Sequence, residues 1–211
     1  MPNNYDAVAW FYDGLSRLVF GDALIQAQRF LVEKIPTAAT VLIAGGGTGW
    51  ILTEIARLHP AGLKIVYVEI SAKMLRLSMK KNCGTNQVEF VHAAIEDYEL
   101  KQPFDVVLTP FLFDNFSEKR HQLVFGKLHK SLKVSGLWLI SDFQVEKKSF
   151  KSLWQKAILQ TMYLFFGWLC KVETRKLIDI GINFKAQNYN QLAAKTFYRS
   201  FIISQVYQKT V

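Results

Sequence analysis

The sequence predicts a doubly wound α/β domain built on a mostly parallel sheet. Short, continuous apolar segments alternate along the chain with amphipathic segments of helical periodicity. Continuous apolar runs are typical of strands that are buried on both faces. The chain has 211 residues, of which 50% are hydrophobic, and this suits a single domain with its own core. We therefore expect residues 1–211 to form one domain.

The elements follow in order from these patterns. A helical region over residues 4–34 ends at Pro36, and Ser71 is a suitable N-cap for the helix that contains Met74. The last two apolar segments have no useful helix between them, so we expect them to pair antiparallel at the sheet edge. The predicted strands are 40–44, 63–70, 88–93, 104–109 and 137–143, the predicted helices include 51–58, 117–132 and 150–171, and the final extended segments are 182–189 and 197–208.

The net charge of +9 is unevenly distributed along the chain. Residues 1–118 hold 10 basic and 13 acidic side chains, whereas residues 119–211 hold 16 basic and 4 acidic ones. Such a basic half attracts nucleic acid, anionic lipid or an acidic substrate, but solvated helix faces are the commoner meaning of the pattern. We therefore expect no nucleic-acid partner.

Neither the cysteines nor the apolar runs indicate an extracellular or membrane-spanning protein. Cys83 and Cys170 lack the spacing of a disulfide framework or a metal site. The start of the chain lacks a signal-peptide pattern, and the longest apolar run, Ala157–Cys170, falls short of the about 20 residues that cross a membrane. We expect a cytoplasmic protein without metal, in which the aromatic helix over 154–168 forms a second lid or a self-association surface.

A glycine-rich loop joins the first predicted strand to the next helix. Gly45, Gly47 and Gly49 permit positive φ and let a ligand approach the backbone at a helix N-terminus. Glu69 follows at the end of the next strand, where a carboxylate accepts hydrogen bonds from the two hydroxyls of a ribose. Loop and acid together predict a ligand that contains adenosine. A dinucleotide and S-adenosylmethionine both meet this description, although the dinucleotide pattern is imperfect at Ala44.

The order of further motifs resembles the class I S-adenosylmethionine-dependent methyltransferases. The segment 41–49, Val-Leu-Ile-Ala-Gly-Gly-Gly-Thr-Gly, is similar to their first motif, and 68–75 is similar to their second. Segments 88–97, 104–109 and 132–140 resemble the third motif, the fourth strand and the turn into the fifth. The pairs Tyr5-Asp6 and Tyr12-Asp13 resemble the lead-in helices of the methyltransferases of quinone biosynthesis.

The resemblance implies a Rossmann-like, three-layer α/β/α fold with an antiparallel edge strand. It implies a helical lid over 1–36, a cofactor-binding core over 37–148, and a helix with a strand pair over 149–211. The implied activity is direct, in-line transfer of a methyl group from S-adenosylmethionine to a small apolar or acidic molecule. The implied cofactor-binding residues are Gly45, Gly47, Gly49, Glu69, Ile70, Met74, Ala94, Ile95 and Thr109.

The sequence departs from the family pattern at two acidic positions. Ile43 stands where the first motif usually has an acid, and Ala94 stands where the third motif has one. A cofactor-binding relative without catalysis is therefore one alternative, and a nicotinamide-dependent oxidoreductase is the other.

Aromatic residues are the candidates for the substrate side. Tyr12 lies in the implied lid, and Phe111 follows the fourth predicted strand, where ligands of open α/β sheets bind. Methyl transfer needs mainly alignment of the two reactants, so a general base is optional. His92, His121 and His129 are candidates by residue type alone, and we name no catalytic residue.

Overall fold

A seven-stranded sheet forms the centre of the computed structural model, which describes residues 5–145, 151–170 and 177–210. The strands are β1 (Thr40–Ala44), β2 (Lys64–Glu69), β3 (Gln87–His92), β4 (Phe104–Pro110), β5 (Leu132–Phe143), β6 (Asn190–Phe197) and β7 (Ile202–Gln208). Their order in the sheet is β3-β2-β1-β4-β5-β7-β6. The first five are parallel, whereas β7 runs antiparallel to both of its neighbours.

Helices cover both faces of this sheet. They are α1 (Tyr12–Phe20), α2 (Ala23–Val32), α3 (Trp50–Leu58), α4 (Ala72–Ser78), α5 (Glu118–Ser131), α6 (Lys151–Cys170) and α7 (Gly181–Ala186), with 3₁₀ turns at Tyr5–Ala7 and Phe113–Asn115. One face packs against α2 and α3 through side chains such as Ile43 and Ile55. The other packs against α5 and α7 around the fully buried Trp138. The predicted three-layer, mostly parallel fold is confirmed.

Local sequence signals predicted the bounds of most helices and strands to within a few residues. Ser71 does cap α4, because its hydroxyl accepts a hydrogen bond from the Met74 N–H at 3.2 Å. The helical region predicted over residues 4–34 is broken at Gly21, which has a φ of 57° between α1 and α2. Within the described ranges, no helix has both the length and the apolar character to cross a membrane.

The prediction of an extended segment over 182–189 is wrong. Residues Gly181–Ala186 form α7, because helical geometry buries Phe184 completely against Trp138 and stacks it on Tyr207 at 3.9 Å between ring centroids. The antiparallel pair is instead a hairpin of β6 and β7. The turn between them uses positive φ at Tyr198, Arg199 and Ser200 without any glycine or proline, so the usual turn signal is missing.

A buried carboxylate joins α2 to α3 and yields a first testable prediction. Glu54 is 5% exposed and pairs with the Arg29 guanidinium through two hydrogen bonds of 3.0 Å each. The Arg29 pairing holds the pKa of Glu54 below its usual value, although burial acts to raise it. We expect Arg29→Ala to lower the free energy of unfolding by about 1–3 kcal/mol, because Glu54 loses its main partner. Chemical denaturation measures this.

Arg57→Ala is the matched control for this prediction. Arg57 also contacts Glu54, but both of its nitrogens lie 3.2 Å from the same oxygen, Oε2, and its side chain is 57% exposed against 47% for Arg29. Because the two hydrogen bonds from Arg29 remain when Arg57 is removed, we expect a loss of under about 1 kcal/mol. An equal loss in the two variants would contradict the special role of the Arg29 pair.

Candidate functional site

The glycine loop after β1 is held in one shape by backbone and side-chain contacts. Gly45, Gly47 and Gly49 have φ of 72°, 64° and 80°. The Gly45 N–H donates to the Val68 carbonyl at 2.9 Å, and the buried Tyr67 hydroxyl donates to the Gly47 carbonyl at 2.9 Å. The loop is therefore fixed to β2 before any ligand binds.

Glu69 ends β2 directly beside this loop. Its carboxylate accepts hydrogen bonds from the Gly47 N–H at 3.0 Å and from the Ser71 N–H at 2.8 Å, and the residue is 4% exposed. Burial raises the pKa of Glu69, and the hydrogen bonds from Ser71 and Gly47 only partly offset it. Each carboxylate oxygen still has lone-pair capacity to accept a hydrogen bond from a ligand hydroxyl.

A cavity of about 420 Å³ opens above the carboxyl ends of the parallel strands. This volume lies in the range of small-molecule sites. Most of the predicted site residues line it together, from the glycine loop, the end of β2, α4 and the loop after β3. They are Gly45, Gly47, Glu69, Ile70, Met74, Ala94 and Ile95, with the candidate substrate residues Tyr12 and Phe111.

Two predicted cofactor residues do not line the cavity. Thr109 is fully buried, and its hydroxyl accepts a hydrogen bond from the Trp138 indole N–H at 3.0 Å, so Pro110 and Phe111 face the cavity instead. Gly49 lies behind the loop at the N-terminus of α3, and a Cβ built there would be 2.5 Å from the Ser78 Cβ. At this position α3 packs closely on α4.

The amino-terminal segment contacts the cavity rim at three separate points. The Thr48 hydroxyl lies 2.9 and 3.0 Å from the two carboxylate oxygens of Asp13. Asp6 accepts hydrogen bonds from the Ser71 hydroxyl at 2.6 Å and from the Lys73 N–H at 2.9 Å. The Tyr5 hydroxyl donates to the Asn115 side-chain carbonyl.

The glycine loop receives a carboxylate from the amino-terminal segment and none from position 43. Ile43 is completely buried in the core and offers no polar group to the loop. Asp13 supplies a carboxylate to the same loop from the opposite side, through Thr48. Sequence reasoning noted the Tyr12-Asp13 pair but assigned Asp13 no contact, since the two partners are separated by 35 positions.

Ala94 is the second position where the family pattern has an acid. Ala94 lies in a turn, and its carbonyl accepts hydrogen bonds from the N–H groups of Asp97 and Tyr98. Glu96 is paired with Arg120 at 2.6 Å, and this guanidinium lies 4.5 Å from the centre of the Phe116 ring. The Glu96 carboxylate is therefore engaged with a cation at the cavity wall.

None of the three candidate histidines lines the cavity. His121 is fully buried against the Phe113 ring, with its Nδ1 3.5 Å from the Asn183 side-chain nitrogen, and burial lowers its pKa to about 4. His129 contacts the Tyr189 hydroxyl at 3.0 Å, and burial lowers its pKa as well. His92 contacts the Ile70 carbonyl at 3.1 Å. Sequence reasoning missed two other titratable groups near the cavity, Asp114 and Asp142, which interrupt otherwise apolar segments.

Comparison with known proteins finds similarity to methyltransferases. Residues 41–136 match the methyltransferase domain model. The chain is 28% identical over 191 residues to the ubiquinone/menaquinone biosynthesis C-methyltransferase UbiE of Geotalea uraniireducens, covering 87% of this chain and 80% of that protein. It is 30% identical over 142 residues to the demethylmenaquinone methyltransferase of Clavibacter sepedonicus, covering 66% of this chain and 56% of that protein.

A solved structure agrees in fold. The 1,6-didemethyltoxoflavin-N1-methyltransferase of Burkholderia thailandensis, determined with its substrate and S-adenosylhomocysteine, superimposes with a TM-score of 0.66 at 15% identity. The match covers 97% of this chain and 85% of that structure.

The cavity fits S-adenosylmethionine. A Cβ built on Gly47 would meet only the Met74 sulfur, at 3.9 Å, so backbone is open to a ligand there. Glu69 presents a buried carboxylate, and Ile70 and Ile95 add apolar walls. The comparisons favour this cofactor over a dinucleotide. The chain is thus a methyltransferase that uses S-adenosylmethionine as its cofactor, and in sequence it is similar to the class I methyltransferases of quinone biosynthesis.

Proposed function

We propose that the protein methylates a small aromatic acceptor of the hydroquinone class. The observation that supports this most is the composition of the cavity. The glycine loop and Glu69 form one part of it, and Phe111, Phe143 and Met162 line another. Relatives named for quinone biosynthesis support the acceptor class. The reduced form is the appropriate acceptor, because hydroxyl groups make a ring carbon electron-rich whereas quinone carbonyls withdraw electrons.

The cofactor end is assigned residue by residue as part of this proposal. Glu69 accepts the ribose hydroxyls, and the glycine loop at Gly45 and Gly47 contacts the methionine portion. Ile70 and Met74 pack on the adenine. Ala94 and Ile95 lie at its edge, where backbone groups of the turn are within reach.

The acceptor end is formed by elements that lie outside the central strands. Tyr12 comes from α1, Phe111 follows β4, and Met162 comes from α6. We propose that residues 1–36 act as a lid over the 37–148 core, and that 149–211 completes the acceptor wall. Trp10, which is 83% exposed, lies outside this wall.

The chain's own groups contribute alignment and exclusion of water. Bound S-adenosylmethionine supplies an electrophilic methyl group on a sulfonium sulfur. Fixed placement of the acceptor ring accounts for a large part of the catalysis, since alignment alone lowers such barriers by about 7–11 kcal/mol. The aromatic walls at Phe111 and Phe143 keep water from competing for the methyl group.

A binding and turnover experiment tests the proposal. We expect S-adenosylhomocysteine to raise the melting temperature of the protein and NAD to leave it unchanged. Under anaerobic conditions, 1,4-dihydroxynaphthalene should gain one methyl group, detected by mass spectrometry. A shift with NAD alone would support the oxidoreductase alternative. Cofactor binding without transfer to any hydroxyaromatic compound would support the non-catalytic relative.

Location and self-association remain predictions. We expect a cytoplasmic protein, and we expect the exposed side of α6, which includes Leu164 at 71% exposure, to allow self-association. Light scattering of the purified chain tests the second point, and a monomer at all concentrations would contradict it.

A further inference from the structure

Three polar groups meet at the end of the cavity away from Glu69. Asp114 belongs to the 3₁₀ turn after β4, Asp142 lies at the end of β5, and Tyr163 comes from α6. Strands β2 and β5 are separated by two others, so Glu69 and Asp142 lie about 14 Å apart across the sheet. Asp114 and Tyr163 line the cavity together with Phe111, Phe143 and Met162.

Asp142 is a fixed and buried carboxyl group. It is 8% exposed, and its Oδ1 accepts a hydrogen bond from the Phe143 N–H at 2.8 Å. The N–H groups of Phe113 and Asp114 also donate to it, so it holds the 3₁₀ turn against β5. Burial nevertheless raises the pKa of Asp142 to about 7, because these hydrogen bonds only partly offset the lost hydration.

Asp114 is the member of the pair that reaches the cavity. Burial and the neighbouring Asp142 carboxylate raise the pKa of Asp114 well above its usual value, and the Asn115 side-chain N–H donates to its Oδ1 at 2.6 Å. Two neighbouring buried carboxyl groups resist ionising together, so the singly ionised pair holds one proton and one negative charge.

The Tyr163 hydroxyl points to a ligand at this place. Its oxygen is shielded from solvent and has no hydrogen-bond partner among residues 5–145, 151–170 and 177–210. Burial and the two carboxylates raise the pKa of Tyr163, so the hydroxyl keeps its proton and remains a donor. A buried donor without a partner is unfavourable, and an acceptor oxygen in the cavity would satisfy it.

We propose that the Asp114–Asp142 pair takes the proton from a ring hydroxyl of the acceptor, while the Tyr163 hydroxyl donates a hydrogen bond to the same oxygen. The acceptor O–H bond breaks, its electron pair stays on the acceptor oxygen, and the pair changes from one negative charge to none. The pair later releases this proton to solvent, so no oxidant or reductant is involved. This role of the pair rests on the proposed function. Loss of the hydroxyl proton makes the acceptor ring more nucleophilic.

The environment suits this proton transfer. A base works best when its pKa lies near the working pH, and the raised pKa of the pair meets that condition. Asp114, Asp142 and Tyr163 are the titratable groups that face one another here from the 3₁₀ turn, β5 and α6. Arg120, a cation elsewhere on the cavity wall, is paired with Glu96.

Asp114→Asn tests the proposal, because asparagine has the same shape and still forms hydrogen bonds. We expect kcat for 1,4-dihydroxynaphthalene to fall by about 100-fold, the lower limit of general-base effects. Calorimetry in the presence of S-adenosylhomocysteine should show diol affinity within about threefold of the wild type. The wild-type rate should rise with pH as the pair first ionises, and the pH profile of the variant should differ, because Asp142 then ionises without its partner.

Tyr163→Phe is the companion variant and removes only a hydroxyl. We expect it to weaken diol binding several-fold while keeping the wild-type pH profile. A merely structural role for Asp114 would lower the melting temperature or diol affinity and leave the pH profile of Asp114→Asn unchanged, which would overturn the proposal. Unchanged kcat in Asp114→Asn would also overturn it. A wild-type protein that fails to bind the diol would instead refute the acceptor class, and this role with it.

Discussion

Glu69→Gln is expected to weaken the binding of S-adenosylhomocysteine by about 100-fold or more. Hydrogen bonds to a charged group contribute about 1.5–3 kcal/mol each, and this carboxylate is placed to accept two from the ribose. Both the Gly47 N–H and the Ser71 N–H donate to the Glu69 carboxylate. Glutamine has only one acceptor oxygen, so its NH₂ group would face one of these two donors. Calorimetric titration with S-adenosylhomocysteine measures the change.

Glu99→Gln is the matched control for this experiment. Glu99 is exposed and does not line the cavity. We expect its affinity for S-adenosylhomocysteine to equal that of the wild type. Similar affinities in the two variants would refute the assignment of Glu69 to the ribose.

Gly49→Ala is expected to reduce the free energy of unfolding by about 3 kcal/mol or more. The φ of 80° at this position costs a residue with a side chain about 1–2 kcal/mol. A Cβ would also lie 2.6 Å from the Ser78 Cα, and backbone cannot move away as a flexible side chain does. For a chain of this size the melting temperature should fall by about 6–12 °C.

Gly126→Ala provides the contrast, since Gly126 lies inside α5 with no atom within 4 Å of an added Cβ. Replacing a helical glycine by alanine stabilises by about 0.5–1 kcal/mol, so this variant should melt slightly above the wild type. Equal melting temperatures for the two alanine variants would show that Gly49 is not a close-packing position. Thermal unfolding followed by circular dichroism compares them.

The parts of the fold that sequence reasoning predicted correctly are those that depend on neighbours along the chain. Buried strands such as β1 and β4 appear as apolar runs, and the acid at the end of β2 follows the glycine loop at a recognisable spacing. Helix α7 was missed because only its packing on Trp138 selects helical geometry for a short segment. The hairpin turn was missed because Tyr198 and its neighbours adopt left-handed conformations without glycine.

Sequence reasoning was also limited at the candidate site, where the residues that come together are far apart along the chain. Glu69 lines the cavity, as its position after β2 suggested, whereas Thr109 does not, since the alternation of strand faces decides which side chain points to the cavity. Asp114 and Asp142 were passed over because each appears as a single acid in an apolar segment. Their proximity arises from the neighbouring positions of β4 and β5 in the sheet, and Tyr163 joins them from a helix more than twenty residues further along the chain.

The placement of the first two helices bears on how such a protein acquires new substrates. Tyr12, Ser16 and Arg17 of α1 and Leu24 and Gln28 of α2 line the cavity, yet none belongs to the sheet or the glycine loop. Substitutions at these five positions would change the cavity wall while leaving the strand ends and the Asp13 contact to Thr48 in place. Under the proposed function, we therefore expect a laboratory library on α1 and α2 that leaves Asp13 unchanged to alter acceptor selectivity more than cofactor binding.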